Sequence, residues 1–191
     1  MGKGIEVEMK AWVKDLGQVE QKLGDRARRL DEISYADSYF TFPGIQGFSF
    51  HRFRLRETGK KAIVTVKEKV PGQERGVSEF EFEVSDPAAF LEFARIFGFQ
   101  FMLKKEKKGR RYLLEGGDAD FQRGPVVELV RIEGLGDFVE IEIMVDAPEK
   151  IAKAEARILE IYQELAIPES AMEGRAYTLL LYAQEELKEK L

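Results

Sequence analysis

The 191-residue chain contains no cysteine, only one histidine (His51) and no long apolar segment. Without cysteine it forms neither disulfides nor thiolate metal sites, and a single histidine cannot build a histidine-based zinc cluster. No apolar run is long enough to cross a bilayer, and the N-terminus lacks a signal-peptide pattern. We therefore expect a soluble, cytoplasmic protein without a membrane partner.

The chain also has no large excess of charge of one sign. The chain has 30 Lys and Arg residues against 35 Asp and Glu residues, a formal net charge of −5. This mixture is typical neither of a basic nucleic-acid coat nor of a disordered acidic tail, so we expect no nucleic-acid partner. The length fits one domain over residues 1–191 with a sizeable core. Abundant Lys, Glu and Arg without cysteine are also typical of thermophilic proteins.

Three common catalytic motifs are missing as well: Gly-x-x-x-x-Gly-Lys-Ser/Thr, Gly-x-Ser-x-Gly and His-Glu-x-x-His.

What the chain does contain, near its start, is Glu6-Val7-Glu8-Met9-Lys10. In a β-strand the three charged residues of this motif share one face. Two adjacent carboxylates make a hard oxygen site for Mg²⁺ or Mn²⁺, and the lysine can hold a phosphate. The motif indicates metal-assisted chemistry on a phosphorylated substrate. The alternative is an ordinary amphipathic strand with its charged face in water.

Strand patterns dominate the rest of the chain, punctuated by Gly, Pro and Asp. Together with fewer helical patterns they predict an α+β fold. The predicted helices are Asp15–Glu32, Pro87 to Phe97, Pro148–Leu165 and Tyr177–Lys190. The predicted strands are Ile5–Val13, Ala36–Phe42, Phe50–Glu57, Ala62–Val70, Ser78–Val84, Phe101–Lys107, Arg110–Glu115, Val126–Glu133 and Phe138–Val145.

Several predicted strands carry charge of a single sign on their polar faces. A row of like charges repels itself and is stabilised by a neighbouring row of opposite sign or by a ligand. If the sheet closes into a barrel with its apolar side outward under helices, the rows line a tunnel that can hold a small ligand. The alternative is an open sheet with a mixed-charge surface. The rows are Arg52, Arg54 and Arg56; Lys67 and Lys69; Glu79, Glu81 and Glu83; Lys105 and Lys107; and Glu140 and Glu142.

Taken in order, these motifs resemble the CYTH superfamily, the triphosphate tunnel metalloenzymes, over nearly the whole chain. Members include class IV adenylyl cyclases, thiamine triphosphatases and inorganic triphosphatases. The similar segments are Glu6-x-Glu8-x-Lys10, Asp37-Ser38-Tyr39-Phe40, Phe53-Arg54-Leu55-Arg56, Thr65-Val66-Lys67, Glu79-Phe80-Glu81, Gly134-Leu135-Gly136-Asp137-Phe138-Val139-Glu140-Ile141-Glu142 and Arg175-Ala176-Tyr177.

The resemblance implies a closed antiparallel eight-stranded β-tunnel with helices packed on its outside. It also implies Mg²⁺ or Mn²⁺ as cofactor and a small-molecule triphosphate as substrate. In that family, cations neutralise the non-reacting phosphates while the metal stabilises charge that develops during phosphoryl transfer. The implied roles are metal ligation or orientation by Glu6, Glu8, Glu140 and Glu142; catalysis by Lys10; triphosphate binding by Lys10, Arg54, Arg56, Lys67, Lys105, Lys107 and Arg111; and acidic support by Glu79, Glu81 and Glu128.

Two regions depart from the family pattern. Val130 stands where the family has an Asp, with Glu128 one step away on the same face. The basic segment Lys104–Arg111 fits the family's later basic strand in more than one register. Because of Val130, one acidic residue of the family's site has no direct counterpart in this chain. The open register affects the choice of phosphate-binding residues in Lys104–Arg111.

Three functions remain open at this point. A triphosphatase directs water at the terminal phosphorus, whereas a class IV adenylyl cyclase directs the ribose 3′-hydroxyl of ATP at the α-phosphorus. The third is a non-catalytic sensor of a nucleotide or polyphosphate. We expect an enzyme that acts on inorganic triphosphate, thiamine triphosphate or ATP. A homodimer is a further expectation, with the amphipathic C-terminal helix as a contact surface.

Overall fold

The computed structural model describes residues 4–42, 53–58, 61–69, 76–115 and 120–189. No helix in these ranges is both long and apolar enough to cross a membrane. The helices are α1 (Leu16–Leu23), α2 (Pro87–Ile96), α3 (Ile151–Glu164) and α4 (Tyr177–Glu189). The strands are β1 (Ile5–Trp12), β2 (Ala27–Thr41), β3 (Phe53–Thr58), β4 (Lys61–Lys69), β5 (Gly76–Val84), β6 (Gln100–Leu114), β7 (Val126–Ile132), β8 (Gly136–Val145) and β9 (Met172–Glu173).

The nine strands of the described ranges belong to one antiparallel sheet, in the order β5-β4-β3-β2-β6-β7-β8-β1-β9. This large sheet with helices confirms the α+β prediction. The prediction of a closed eight-stranded sheet is not confirmed, because a ninth strand is present and β5 meets β1 over only two residue pairs, at Glu6 and Val7. Further along the same edge of β1, Lys10 and Ala11 pair with β9 instead. The edge of β1 is therefore shared between two strands.

The apolar residues of β1 form the main core beneath α1 and α3. Burial alternates along β1 with every second residue, and Val7 and Ala11 are fully buried. Leu23 of α1 and Ile158 and Ile161 of α3 belong to the same cluster. Because removal of apolar surface from water is the dominant favourable term in folding, this packing turns the charged residues of the strand to the opposite, inner face.

A second, aromatic core lies between α2 and the outer face of β3 and β4. Phe53 stacks on Phe40 with ring centroids 4.7 Å apart, and it meets Phe90 of α2 edge-on at 5.6 Å. The helix begins where the sequence predicted, with Asp86 as its N-cap and Pro87 in its first turn. Both halves of the sheet thus present an apolar outer face to helices and a polar inner face.

The prediction of a helix over Asp15–Glu32 is wrong for the second half of that range. The helix ends at Leu23, and Gly24 takes a φ of +49°, a conformation that favours glycine. From Ala27 onward the chain pairs with β6. Ladder hydrogen bonds to a distant strand outweigh the weak local helical spacing to which Leu30 contributes.

The two predicted strands Phe101–Lys107 and Arg110–Glu115 form a single strand, β6. Gly109 lies in the middle of that strand, opposite Val130 of β7. A Cβ atom at position 109 would lie 2.1 Å from the carbonyl oxygen of Leu129. This glycine therefore permits a close approach of two backbones and does not mark a turn.

Candidate functional site

The inner face of the sheet lines a cavity of ≈ 530 Å³. Within the described ranges, the charged side chains that line it are evenly matched, with seven carboxylates and seven cations. All the site residues predicted from the sequence lie on this surface, while their roles stay predictions. The carboxylates are Glu6, Glu8, Glu79, Glu81, Glu128, Glu140 and Glu142, and the cations are Lys10, Arg54, Arg56, Lys67, Lys105, Lys107 and Arg111.

Asp37 is the centre of the basic side of the cavity. Its fully buried carboxylate accepts hydrogen bonds from Arg56 Nε at 2.7 Å and Nη2 at 3.0 Å. Lys105 Nζ lies 3.3 Å and Arg54 Nη1 lies 3.8 Å from the same group. Burial alone would raise the pKa of Asp37, but these hydrogen bonds and charges outweigh burial and lower it. The sequence motifs pointed to no role for Asp37, yet this carboxylate holds three cations in place.

The two arginines of β3 differ in how fully their donors are used. The guanidinium of Arg56 is held by Asp37 and lies 3.4 Å from the ring centroid of Tyr35. Arg54 donates from Nη2 to Thr65 at 2.8 Å, but its Nε is buried without a hydrogen-bond partner. Since an unsatisfied buried donor costs free energy, the Arg54 N–H is free to bind a ligand oxygen.

Lys107 joins the carboxylates of two strands at the centre of the site. Its ammonium lies 2.6 Å from Glu128 and also donates to Glu140, while Arg111 donates to the other oxygen of Glu128 at 2.9 Å. Burial would lower the pKa of Lys107, but the two carboxylates outweigh it and raise that pKa. In turn Lys107 outweighs the burial of Glu140, whose pKa falls to about 2. The register of β6 that the sequence left open thus places Lys105, Lys107 and Arg111 on the cavity.

Lys67 occupies the space between β1 and β5. Its ammonium lies 3.4 Å from Glu6 and pairs with Glu79. With this pair, each of the seven cavity cations has a carboxylate partner. A polyanionic ligand must therefore exchange partners with these carboxylates in order to bind.

Cationic neighbours compensate poorly for ionisation of the Glu6 and Glu8 carboxyl groups. Glu8 faces Glu142 directly across the ladder between β1 and β8, and its partner Lys10 lies 4.0 Å away. Burial raises the pKa of both Glu6 and Glu8, neighbouring carboxylates add to the effect, and the pKa of Glu6 reaches about 8. Like charges directly opposite each other destabilise a sheet, so this corner of the cavity favours a bound cation.

The donor chemistry of this corner fits a divalent metal. Glu6, Glu8 and Glu142 offer carboxylate oxygens, which Mg²⁺ and Mn²⁺ prefer as ligands. In the part of the chain that the structure describes, no three Asp, Glu, His or Cys side chains converge as a ready-made metal site. Glu140, predicted in the same set, is instead held by Lys107. Glu6, Glu8 and Glu142 are therefore the residues that would hold a metal, whereas Glu140 pairs with Lys107.

The metal-free protein is expected to lose stability as the pH rises toward and through 8. The folded-state pKa of Glu6, about 8, lies above its ordinary value of 4.5. The folded protein therefore keeps a proton that the unfolded chain has released, and this stabilisation, complete below pH 4.5, is lost as the pH passes about 8. In EDTA between pH 6 and 9, we expect the Tm of the wild type to fall by about 5–10 °C more than that of Glu6→Gln. Equal decreases in thermal denaturation of the two proteins would contradict the assigned pKa.

Apolar side chains close one end of the cavity. On β1 and β8 the inner face changes from charged to aromatic at Trp12 and Phe138, whose ring centroids are 4.0 Å apart. Helix α4 covers this end, with Tyr177 edge-on to Phe138 at 4.7 Å and Leu180 buried. The apolar first half of α4 thus packs on the protein's own sheet. We name this cluster the apolar end; its buried members are Ile33, Val130, Ile132, Phe138, Tyr177 and Leu180.

The position of Val130 explains its departure from the family pattern. It is fully buried in the apolar end, where an unpaired acid would be costly. Glu128, one step along the same face of β7, reaches the charged part of the cavity and pairs with Lys107. The acidic contribution of β7 therefore comes from Glu128.

The sequence reasoning assigned no role to the neutral residues of the cavity. Tyr35, Tyr39 and Thr65 lie on the same strand faces as the predicted charged residues, so strand alternation was a signal that could have found them. Tyr177 also lines the cavity, but it lies on a helix. Its place there depends on how α4 packs, for which the sequence offers no local signal.

Comparison with family models finds a match to the CYTH domain over residues 4–177. Comparison with curated proteins finds no match. Among solved structures, a conserved hypothetical protein from Pyrococcus furiosus is 29% identical, with a TM-score of 0.71 over 91% of this chain and 98% of that chain.

Two further solved structures have lower identity. A candidate adenylate cyclase from Vibrio parahaemolyticus is 18% identical, with a TM-score of 0.72 over 95% of this chain and 99% of that chain. A candidate adenylyl cyclase from Hippeastrum, described as having a dominant triphosphatase activity, is 15% identical, with a TM-score of 0.58 over 95% of this chain and 96% of that chain. At such identities the likeness shows a shared fold alone.

Proposed function

The chain belongs to the CYTH domain family, and from this premise we propose that it is a divalent-metal-dependent enzyme acting on a triphosphate in its charged cavity. The observation that carries the proposal is the balance of seven carboxylates and seven cations among the described residues that line one surface. A wholly basic cavity suits a bare polyanion and a wholly acidic one suits a bare cation. A balanced cavity suits the complex of the two, which is the composition of a metal triphosphate.

On the basic side, phosphate oxygens would replace carboxylates as partners of the cations. Arg54 is the clearest case because its Nε lacks a partner and its planar fork can bond two oxygens. Lys67 and Lys107 lie between carboxylates that outweigh burial and raise their pKa values. Both lysines therefore stay cationic at neutral pH and can neutralise phosphate charge.

On the acidic side, Glu6, Glu8 and Glu142 would hold the metal. When bound, a divalent metal stabilises negative charge on phosphoryl oxygens as a Lewis acid. Lys10 lies at the boundary of the two sides, 4.0 Å from Glu8. We assign to its ammonium the stabilisation of charge on the oxygen of the leaving group.

We propose hydrolysis as the reaction. The oxygen of a water molecule forms a bond to the terminal phosphorus, the bond to the bridging oxygen breaks, and the electron pair stays with the departing diphosphate. The water proton passes to solvent. Two observations support this choice: Trp12, Phe138 and Tyr177 at the apolar end pack on one another rather than standing open to a purine, and the Hippeastrum protein of similar fold is described as mainly a triphosphatase.

Cyclisation of ATP is the second candidate, since the Vibrio protein of similar fold is a candidate adenylate cyclase. In that reaction the ribose 3′-hydroxyl attacks the α-phosphorus and pyrophosphate leaves with the electron pair of the broken bond. It needs the same cations and carboxylates. The two reactions differ in which phosphorus atom is attacked and in the product released.

One incubation series tests the proposal. Purified protein is mixed with inorganic triphosphate, thiamine triphosphate or ATP, each with Mg²⁺, Mn²⁺ or EDTA, and the products are resolved by chromatography. Metal-dependent orthophosphate without cyclic nucleotide supports the triphosphatase, and cyclic AMP with pyrophosphate supports the cyclase. Tight triphosphate binding without any product would overturn the enzymatic proposal in favour of a sensor.

We also propose that the eight long strands enclose the substrate as a complete tunnel. The support is that β5 and β1, the two ends of this series in the sheet order, pair at Glu6 and Val7. The predicted homodimer stays a prediction, and sedimentation of the purified protein would test it.

Replacing Arg54 with Ala is expected to raise the KM for the triphosphate about tenfold or more, because a hydrogen bond to a charged group contributes about 1.5–3 kcal/mol. Since Arg54 is assigned to binding, kcat should change less. Steady-state kinetics at saturating Mg²⁺ would measure both. The control is Arg131→Ala, which removes an exposed arginine that pairs with Asp137 at 2.7 Å. An unchanged KM in Arg54→Ala would remove Arg54 from the substrate-binding set.

A further inference from the structure

In the described part of the chain, two buried side-chain polar atoms have no hydrogen-bond partner: Arg54 Nε and the Tyr177 hydroxyl. Both side chains line the cavity. Arg54 already belongs to the predicted phosphate-binding set, whereas Tyr177 has no assigned role. Since buried polar groups in native structures are nearly always hydrogen-bonded, a hydroxyl left without a partner in a cavity wall points to a ligand.

Tyr177 stands between two lysines. The Lys10 ammonium lies 5.2 Å from the ring centroid and the Lys105 ammonium lies 5.7 Å from it, within the range of cation–π attraction. Burial, the charge of the nearby Glu140 carboxylate and a contact of the hydroxyl with that carboxylate raise the pKa of Tyr177, so the phenol is neutral and can donate its proton in a hydrogen bond. Two ammonium groups beside a neutral O–H donor form a suitable environment for phosphate oxygens.

The position of Tyr177 also indicates which part of a phosphate chain it meets. It is 7% exposed and belongs to the apolar end, beyond which Trp12 and Phe138 fill the inner face. A polyphosphate cannot pass through packed aromatic rings, so one end of the chain must lie at Tyr177. In a triphosphate ester the free end of the chain is the terminal phosphate.

We propose that Tyr177 is a substrate-binding residue that fixes the terminal phosphoryl group of the triphosphate. Its hydroxyl donates a hydrogen bond to a non-bridging oxygen, and its ring holds the ammonium groups of Lys10 and Lys105 beside that group. The inference rests on the proposed function in one respect, the identity of the ligand as a triphosphate. It adds a neutral donor to a set that had contained only charged residues.

Two substitutions separate the contributions of the hydroxyl and the ring. Tyr177→Phe removes the hydroxyl and keeps the ring, whereas Tyr177→Leu removes both. We expect the Kd for inorganic triphosphate, measured calorimetrically in EDTA so that metal-dependent turnover cannot proceed, to rise about tenfold in the Phe variant and further in the Leu variant. The KM measured with Mg²⁺ should rise in parallel. Tyr182→Phe, on the same helix and outside the cavity lining, should leave both constants unchanged.

Urea denaturation of the same proteins distinguishes a direct effect on ligand binding from an effect on the stability of the fold. We expect Tyr177→Phe to unfold close to the wild-type midpoint, because in the described part of the chain the hydroxyl it removes makes no well-formed hydrogen bond and only a contact with Glu140. Wild-type affinity in Tyr177→Phe would overturn the inference, and so would weaker binding that is accompanied by a lower midpoint. If the wild type binds triphosphate but forms no product, the proposed enzyme fails while the binding comparison still decides the role of Tyr177. If the wild type binds inorganic triphosphate neither in EDTA nor with Mg²⁺, both fail.

Discussion

Replacing Glu8 with Gln is expected to lower metal-dependent turnover by about 10³-fold, since a bound metal contributes several kcal/mol of transition-state stabilisation. Gln keeps the size of the side chain and removes the negative charge that would hold the metal. The same change removes a repulsion, because Glu8 faces Glu142 across the β1–β8 ladder and burial raises its pKa. We therefore expect the metal-free variant to be at least as stable as the wild type. If replacing a residue lowers the activity of the protein and raises its stability, that residue serves function and not folding.

The measurement is product release from inorganic triphosphate over a Mg²⁺ titration, together with urea denaturation in EDTA. Glu92→Gln is the matched control, because Glu92 is exposed on α2 and pairs with Arg95 at 2.6 Å. Full activity in Glu8→Gln would show that the metal assignment is wrong. Lost activity together with a lower unfolding midpoint would mean that Glu8 serves the fold.

Replacing Lys107 with Met is expected to reduce the free energy of unfolding by about 3–5 kcal/mol at neutral pH, the usual effect of removing one partner of a buried ion pair. Met has similar length but no charge, so Glu128 and Glu140 would be left facing each other in a buried site. With Lys107 present the pKa of Glu140 is about 2. This stabilisation is present above pH 4.5 and is lost as the pH falls toward 2. The difference between variant and wild type should therefore shrink below pH 4.5, where Glu140 of the variant is protonated.

Urea denaturation at pH 7 and at pH 4 would measure this effect. Lys108→Met, at the exposed neighbouring position, should change the free energy of unfolding little. The double variant Lys107→Met/Glu140→Gln should regain part of the loss, because it no longer leaves that carboxylate unpaired. A stability of Lys107→Met within about 1 kcal/mol of the wild type would show that the pair is not the central buried contact described here.

The sequence predicted which residues face the cavity, because the alternation of side chains along a strand depends only on neighbouring residues. Once every second residue of β1 and β8 is apolar, burial of that face under helices turns the others inward. The fourteen charged residues assigned a role in the site line the cavity for this reason. The start of α2 was readable in the same way, since an N-cap Asp followed by Pro acts on its own first turn.

Local patterns misled where distant pairing decided the outcome. Residues 27–32 have weak helical spacing, yet they pair with the end of β6 more than 75 positions later. Gly109 lies between two short strand patterns, yet it serves the approach of β7 in the middle of one strand. In both cases the stabilising free energy comes from hydrogen bonds and packing between segments that are remote in sequence. A short stretch of sequence does not contain both partners of such a contact.

Residue type and period, both properties of short stretches of chain, thus decide the charged inner face and the apolar outer face. The partner of each charge is decided in three dimensions: Lys67 meets Glu6 across 61 positions, and Lys107 meets Glu140 across 33. Ion pairing and pKa depend on distance and burial, which exist only once the strands are assembled. The place of Tyr177 and the closure of one end by α4 depend likewise on helix packing, so they became visible only in the folded protein.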